Sequence, residues 1–194
     1  MKIIYYYTKD TPYEDQANIL KKSLDKFKLS YHGYAVENLH SWEKNCGQKA
    51  TIIERALNDF PNENIFYLDA DAEVVREPVW GYFKNVITPA FIIIKFEHEG
   101  NRWWELVSNS MYFPNNQLSR AVVKAWKQTQ EKYPDWWDQK TLQAVVDQNK
   151  VPFVSLHHDW GYIPKHMVNR DNPIVLQYQI SNILKEKINV KSTN

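Results

Sequence analysis

Apolar positions along the chain alternate between strand-like runs and helical spacing. Residues 2–8, Lys-Ile-Ile-Tyr-Tyr-Tyr-Thr, form an unbroken strand-like segment. Thr11-Pro12-Tyr13-Glu14 then has the composition of a helix start, with Thr11 as N-cap, Pro12 at the first helical position and Glu14 three residues after the cap. Ala17, Leu20, Leu24 and Phe27 predict the buried stripe of that helix. Residues 31–36 predict a second strand, 38–45 a loop, and 48–60 a helix turning Ile52, Ile53, Ala56, Leu57 and Phe60 inward. Pro61-Asn62-Glu63-Asn64 ends that helix. Ile65-Phe66-Tyr67-Leu68 follows as a short strand with no polar face, as in the buried interior of an α/β sheet.

Further along, residues 90–94 and 106–113 predict two more strands. A long helix is predicted over 116–133, with Leu118, Val122, Ala125 and Trp126 on one face, and another over 138–148. Short strands are predicted at 151–156 and 174–178, and 185–194 is a polar tail. The opening β-α-β-α-β order implies an α/β fold, with mostly parallel strands and helices packed on the sheet. No internal repeat, low-complexity tract or linker divides the chain, so residues 1–194 are expected to form one domain.

Composition narrows the functional classes. Lys and Arg total 24 against 23 Asp and Glu, so no net field favours nucleic acid or an anionic membrane. The single cysteine, Cys46, excludes an intrachain disulfide and reads as an ordinary free thiol. No signal-peptide core and no bilayer-length apolar run is present, from which a soluble, cytoplasmic protein is expected. Eight Trp, twelve Tyr and eight Phe exceed what a core of this size requires. The surplus points to a flat, partly polar ligand or a partner surface.

The chemistry concentrates where the short strand ends, in Asp69-Ala70-Asp71. Open α/β sheets bind ligands outside the carboxyl ends of their strands. Two carboxylates placed there are costly to desolvate without a compensating cation. Their hard oxygen atoms suit Mg²⁺ or Mn²⁺ holding a diphosphate. A solvated strand end is the plainer alternative.

Tyr67-Leu68-Asp69-Ala70-Asp71-Ala72 resembles the Asp-X-Asp signature of GT-A nucleotide-sugar glycosyltransferases. Ser108-Asn109-Ser110-Met111-Tyr112-Phe113 resembles that family's Asn-Ser-Gly-apolar-x-Phe segment, Trp126 its helix tryptophan, and Asp138-Gln139-x-x-Leu142 its Asp-Gln-x-x-Leu element. The motifs come in the family's order and span about residues 1–182. Size and opening strand are similar to small viral and bacterial members, including a glycosyltransferase domain of chlorella viruses. The resemblance implies a single-domain GT-A fold and metal-dependent transfer from a nucleotide sugar, most simply a UDP-sugar, to a saccharide hydroxyl. A viral member would act in the host cytoplasm.

The resemblance also implies roles. Asp71 would ligate the metal directly, and Asp69 would reach the ribose or a metal-bound water. A family pattern Leu-His-x-x-x-Ser maps onto Leu176-Gln177-Tyr178-Gln179-Ile180-Ser181, so Gln177 stands where a histidine ligand is expected. A neutral amide oxygen is a weaker ligand. His158, or its neighbour His157, is the alternative, and either equally fits a surface or hydrogen-bonded histidine. Asp138 is the candidate general base for the acceptor hydroxyl, ahead of Asp135 and Asp159. It fits an N-cap or first-turn acid of its helix equally well. Tyr7 and Thr8, at the end of the first strand, are placed to hold base and ribose. Lys49 resembles a position that faces the nucleotide, and Arg55 is a lesser candidate on the same helix. Solvated surface roles are the plainer reading of both. Trp103-Trp104 and Trp136-Trp137 flank the expected acceptor side, where indole faces pack on sugar rings; core packing competes.

Three other functions fit less well. A phosphatase of the haloacid dehalogenase type also uses Asp-X-Asp after a strand. It requires Thr or Val two residues after the second acid, where this chain has Glu73, and places the motif on its first strand. A non-catalytic carbohydrate-binding protein would use the tryptophans but leaves the buried acid-tipped strand unexplained. A nucleic-acid binder is disfavoured by the balanced charge.

Overall fold

The computed structural model describes residues 1–168 and 171–180. The chain opens with β1 (Lys2–Thr8), α1 (Pro12–Lys26), β2 (Tyr31–Val36), α2 (Trp42–Gly47), α3 (Lys49–Asp59) and β3 (Ile65–Leu68). A short β4 (Ala72–Val74) follows the two acids, then the hairpin β5 (Ala90–His98) and β6 (Asn101–Phe113). Helices α4 (Gln117–Lys132) and α5 (Asp138–Asn149) precede β7 (Val154–Leu156) and β8 (Val175–Gln177). The polar tail at 185–194 lies outside the described residues.

Six strands form one sheet in the order β2-β1-β3-β6-β5-β7. β1 is parallel to β2 and β3, and β5 to β7, while β6 is antiparallel to both its neighbours. Five strands therefore share a direction and β6 alone is reversed, giving the expected mixed, mostly parallel α/β sheet. β4 and β8 pair separately as an antiparallel ribbon.

Period-two alternation sends neighbouring side chains into two cores. Ile3, Phe66 and Leu68 join α1 and the β4–β8 ribbon on one face. Ile4, Ile65 and Tyr67 join α3, α4 and α5 on the other. Thr11 caps α1 as predicted, its hydroxyl accepting from the Tyr13 N–H, and Pro12 occupies the first turn. Ser23 on α1 accepts the Val74 N–H at 3.0 Å, tying the helix to the ribbon.

Several boundaries differ from the sequence pattern. α2 occupies part of the predicted 38–45 loop, and none of its residues is buried, so no apolar stripe announces it. Phe27 and Phe60 sit at helix C-caps and are only partly buried. β7 starts at Val154 rather than 151, because Lys150 takes a left-handed conformation and the Val151 N–H still bonds to Val146 of α5. β5 and β6 run well past their predicted ends, as a hairpin whose outer part lacks a core and so lacks the apolar run that marked 90–94 and 106–113. Among the described residues no helix is long and apolar enough to cross a membrane.

Candidate active site

β1 and β3 point their carboxyl ends at a cleft of about 280 Å³. β1 contributes Tyr6, Tyr7 and Thr8; the start of α3 contributes Lys49; the turn after β3 contributes Asp69 and Asp71. β6 adds Ser108 and Asn109, α5 adds Asp138 beside Trp137, and β8 adds Gln177. Residues scattered over the chain thus meet where a parallel sheet binds its ligands.

Lys49 is the hub. It is only 4% exposed, and its Nζ lies 2.8 Å from Asp69 Oδ1 and 2.6 Å from Asp138 Oδ2. It also donates to the Ser108 carbonyl at 3.1 Å and sits over the Tyr67 ring. Burial, the largest single effect, works against the charged ammonium, but Asp138 and Asp69 outweigh it and Lys49 is held above its ordinary value. Sequence reading gave Lys49 a solvated or nucleotide-facing role, and the structure corrects the solvated one. The ammonium is a buried internal counterion with both acids on it.

Asp69 also accepts the Tyr67 hydroxyl at 2.7 Å, and its backbone N–H bonds to the Asn109 carbonyl. Desolvation lifts its carboxyl to about 6, with Asp71 and Asp138 adding and Lys49 opposing. Asp71 is raised too, mainly by burial, against the lowering effect of the Ile180 N–H on its Oδ2 at 2.9 Å. Three carboxylates face one ammonium, which leaves two negative charges when all are ionised. That excess fits one divalent cation.

The other metal-ligand candidates separate. Gln177 stands opposite Ala72 in the β4–β8 ribbon, next to Asp71. Its Nε2 donates to the Asn109 carbonyl and faces Ser110 Oγ, which leaves the amide oxygen as its ligand end. His158 does not line the cleft; its Nε2 lies 2.9 Å from the Ile93 carbonyl. His157 is half exposed and paired with Asp159, also away from the cleft. Ser181, the end of the Gln177 motif, falls outside the described residues. Among the described residues no three His, Cys, Asp or Glu side chains form a ready-made metal cluster.

Asp138 lies in the first turn of α5, whose N-cap residue is Trp137 and which has no side-chain cap hydrogen bond. Its Oδ2 is committed to Lys49 and to the Ser108 hydroxyl at 2.7 Å, which leaves Oδ1 uncommitted among the described residues. Trp126 fixes this helix start, its indole N–H reaching the Asp138 carbonyl at 3.0 Å and Thr141 Oγ1 at 2.9 Å. Of the tryptophan pairs, only Trp137 lines the cleft. Trp136 stacks on Tyr133, while Trp103 and Trp104 stand on the outer β5–β6 hairpin. Both of the latter are exposed, so neither is a core residue. Arg55 is a surface residue paired with Asp59, and Asp135 is exposed.

Sequence reading gave no role to Tyr6, Tyr67, Ser108 or Asn109, all of which line the cleft. Tyr67 was detectable, because residues two apart on an extended segment share a side and put its hydroxyl on Asp69. Asn109 is 7% exposed and its Oδ1 has no hydrogen-bond partner among the described residues. Gly161 packs against it so closely that a Cβ would come within 2.8 Å of that oxygen.

No protein-family model matches the chain, and no curated protein matches it in sequence. Many solved structures share its architecture, two glycosyltransferases among them. A glycosyltransferase involved in the glycosylation of the major capsid of PBCV-1 aligns with TM-score 0.66 at 14% identity, over 91% of this chain and 92% of that one. The galactosyltransferase LgtC, solved with donor and acceptor sugar analogs, aligns with TM-score 0.60 at 11% identity, over 92% and 87%. At such identities the likeness is one of fold, and the chain has the GT-A-like fold of these enzymes.

Proposed function

We propose that, on this shared fold, the cleft transfers a glycosyl group from a nucleoside-diphosphate sugar to a saccharide hydroxyl, with a UDP-sugar as the expected donor. The observation that carries the reading is the charge arrangement. Asp69, Asp71 and Asp138 converge at the carboxyl ends of β1 and β3 around the single ammonium of Lys49. Asp69 and Asp71, with the Gln177 amide oxygen as third ligand, would hold Mn²⁺ or Mg²⁺. Such a cation supplies neutralisation of the negative charge that builds on the departing diphosphate.

The chain's own groups do the remaining work. Tyr7 and Thr8, at the end of β1, receive the base and ribose. Tyr67 and Lys49 fix Asp69 Oδ1, so its second oxygen is presented in one orientation. Lys49 and Ser108 do the same for Asp138, whose Oδ1 is left to accept a hydrogen bond from a reacting sugar hydroxyl and to take its proton. Trp137 offers an indole face on the same side of the cleft.

Thermal unfolding with UDP and Mn²⁺, separately and together, tests this. A ligand that binds only the folded chain raises its melting temperature by mass action. The pair should stabilise more than the sum of the two, and Asp71→Asn should abolish the Mn²⁺-dependent part while retaining a cooperative transition. An unchanged Mn²⁺ response in Asp71→Asn removes the assigned metal role.

A further inference from the structure

The β5–β6 hairpin is longer than the sheet needs. β3 pairs with β6 only over Ser110–Phe113, and β7 with β5 only over Ala90–Ile92. Beyond those ladders Ile93–His98 and Asn101–Leu106 pair with no other strand among the described residues; Gln143 and His158 tether the base at the Leu106 N–H and the Ile93 carbonyl, and Lys95–Glu105 forms a two-stranded outer arm. Its position follows from register. Leu68 faces Ser110 and the Asp69 N–H bonds to Asn109, so every residue of β6 before Asn109 lies past the carboxyl end of β3. The arm therefore rises from the rim that carries the acids, and Trp103 stands about 17 Å along β6 from Ser108.

The arm carries aromatic faces set among charges of both signs. Phe96 and Trp103 stack across the strands at 5.3 Å and 15°. The Trp103 indole N–H is held by Glu105 at 3.2 Å. Trp104 projects from the opposite face beside Lys95, and Arg102 forks onto Glu97. Trp103 is 44% exposed and Trp104 36%, and they border an open groove of about 600 Å³. Lys95 and Arg102 stand against Glu97, Glu99 and Glu105, a slightly acidic set that suits neither a polyanion nor an anionic lipid surface. So many charged groups among the aromatics is the reverse of the charge-depleted centre of a protein interface. Flat indole faces ringed by hydrogen-bonding side chains match a neutral oligosaccharide, whose rings have apolar faces and hydroxyl edges.

We propose that this arm is a saccharide-binding subsite, with Trp103 as its platform, that holds an extended neutral glycan several rings away from the cleft. Calling that glycan the acceptor rests on the transfer reading above; the binding itself does not.

Tryptophan fluorescence titration of the intact chain, without donor or Mn²⁺, tests the subsite. The probes are cellotetraose, maltotetraose and chitotetraose, each against its own monosaccharide. At least one tetrasaccharide should bind about tenfold more tightly than its monosaccharide, and Trp103→Ala should lose that advantage. Trp103→Phe should keep most of it and Asp71→Asn all of it, which separates the arm from the cleft. Equal binding of tetrasaccharides and monosaccharides, or full binding by Trp103→Ala, overturns the proposal. So does a dimer in sedimentation that Trp103→Ala dissolves, since the face then belongs to a second copy. If UDP-sugar turnover fails while tetrasaccharide binding still depends on Trp103, the transfer reading falls and the subsite stands.

Discussion

At the scale of single residues, Lys49 decides the character of the cleft. Exchanging it for methionine would leave Asp138 buried against Ser108 with no countercharge. Breaking a buried pair by removing one partner costs about 3–5 kcal/mol. Urea unfolding of Lys49→Met should show a loss of that order near neutral pH. Gly161 gives a second expectation. A Cβ there would meet Ile92 Cδ1 at 2.6 Å, Ser110 Oγ at 2.7 Å and Asn109 Oδ1 at 2.8 Å. Gly161→Ala should therefore destabilise by about 1–3 kcal/mol in the same assay, as overpacked interiors do. Asp69 and Asp71 were legible in the sequence because their signal is local: four apolar residues running into two acids. The Lys49–Asp138 pair was not, since nothing in either neighbourhood reports a partner so distant along the chain.

At the scale of elements, the joint between α1 and β4 governs the turn that bears the acids. Ser23 accepts from the Val74 N–H and donates to the Leu20 carbonyl, all within the core. Ser23→Ala would leave the Val74 donor unpaired at a cost of about 1–3 kcal/mol. Its amide should then exchange faster in hydrogen-exchange measurements, while amides of β2 stay protected. Elements with a buried stripe or run, such as α1, α3, α4 and β3, could be read directly from apolar spacing. α2 and the outer hairpin could not, because their side chains face solvent and burial is what writes the periodic pattern. Residue type alone singles out Trp103 and Trp104, yet only the strand register places them on an arm beyond the sheet.

At the scale of the molecule, the uncompensated charge makes stability depend on pH. Folding raises the Asp69 carboxyl from 3.8 to about 6. Between those values the folded chain retains a proton that the unfolded chain has released. Asp69 therefore favours the fold in acid, and that contribution fades as pH rises through about 6. In EDTA, the urea midpoint should fall over this window through Asp69. The stabilisation added by Mn²⁺ should grow over the same window, because the ion requires the carboxylate. An Mn²⁺ effect that does not change with pH would contradict the assigned ligand. The fold class was legible from the β-α-β-α-β opening, whereas the single reversed strand was not, because apolar spacing carries no direction. That reversal has an evolutionary consequence. β6 enters the sheet from above, so the outer part of its hairpin is bounded by no other strand among the described residues. Paired insertions or deletions of two residues per strand would lengthen or shorten its reach while keeping every side chain on its own face. The reach of the proposed saccharide subsite would thus change while the acid-bearing turn keeps its own pairing.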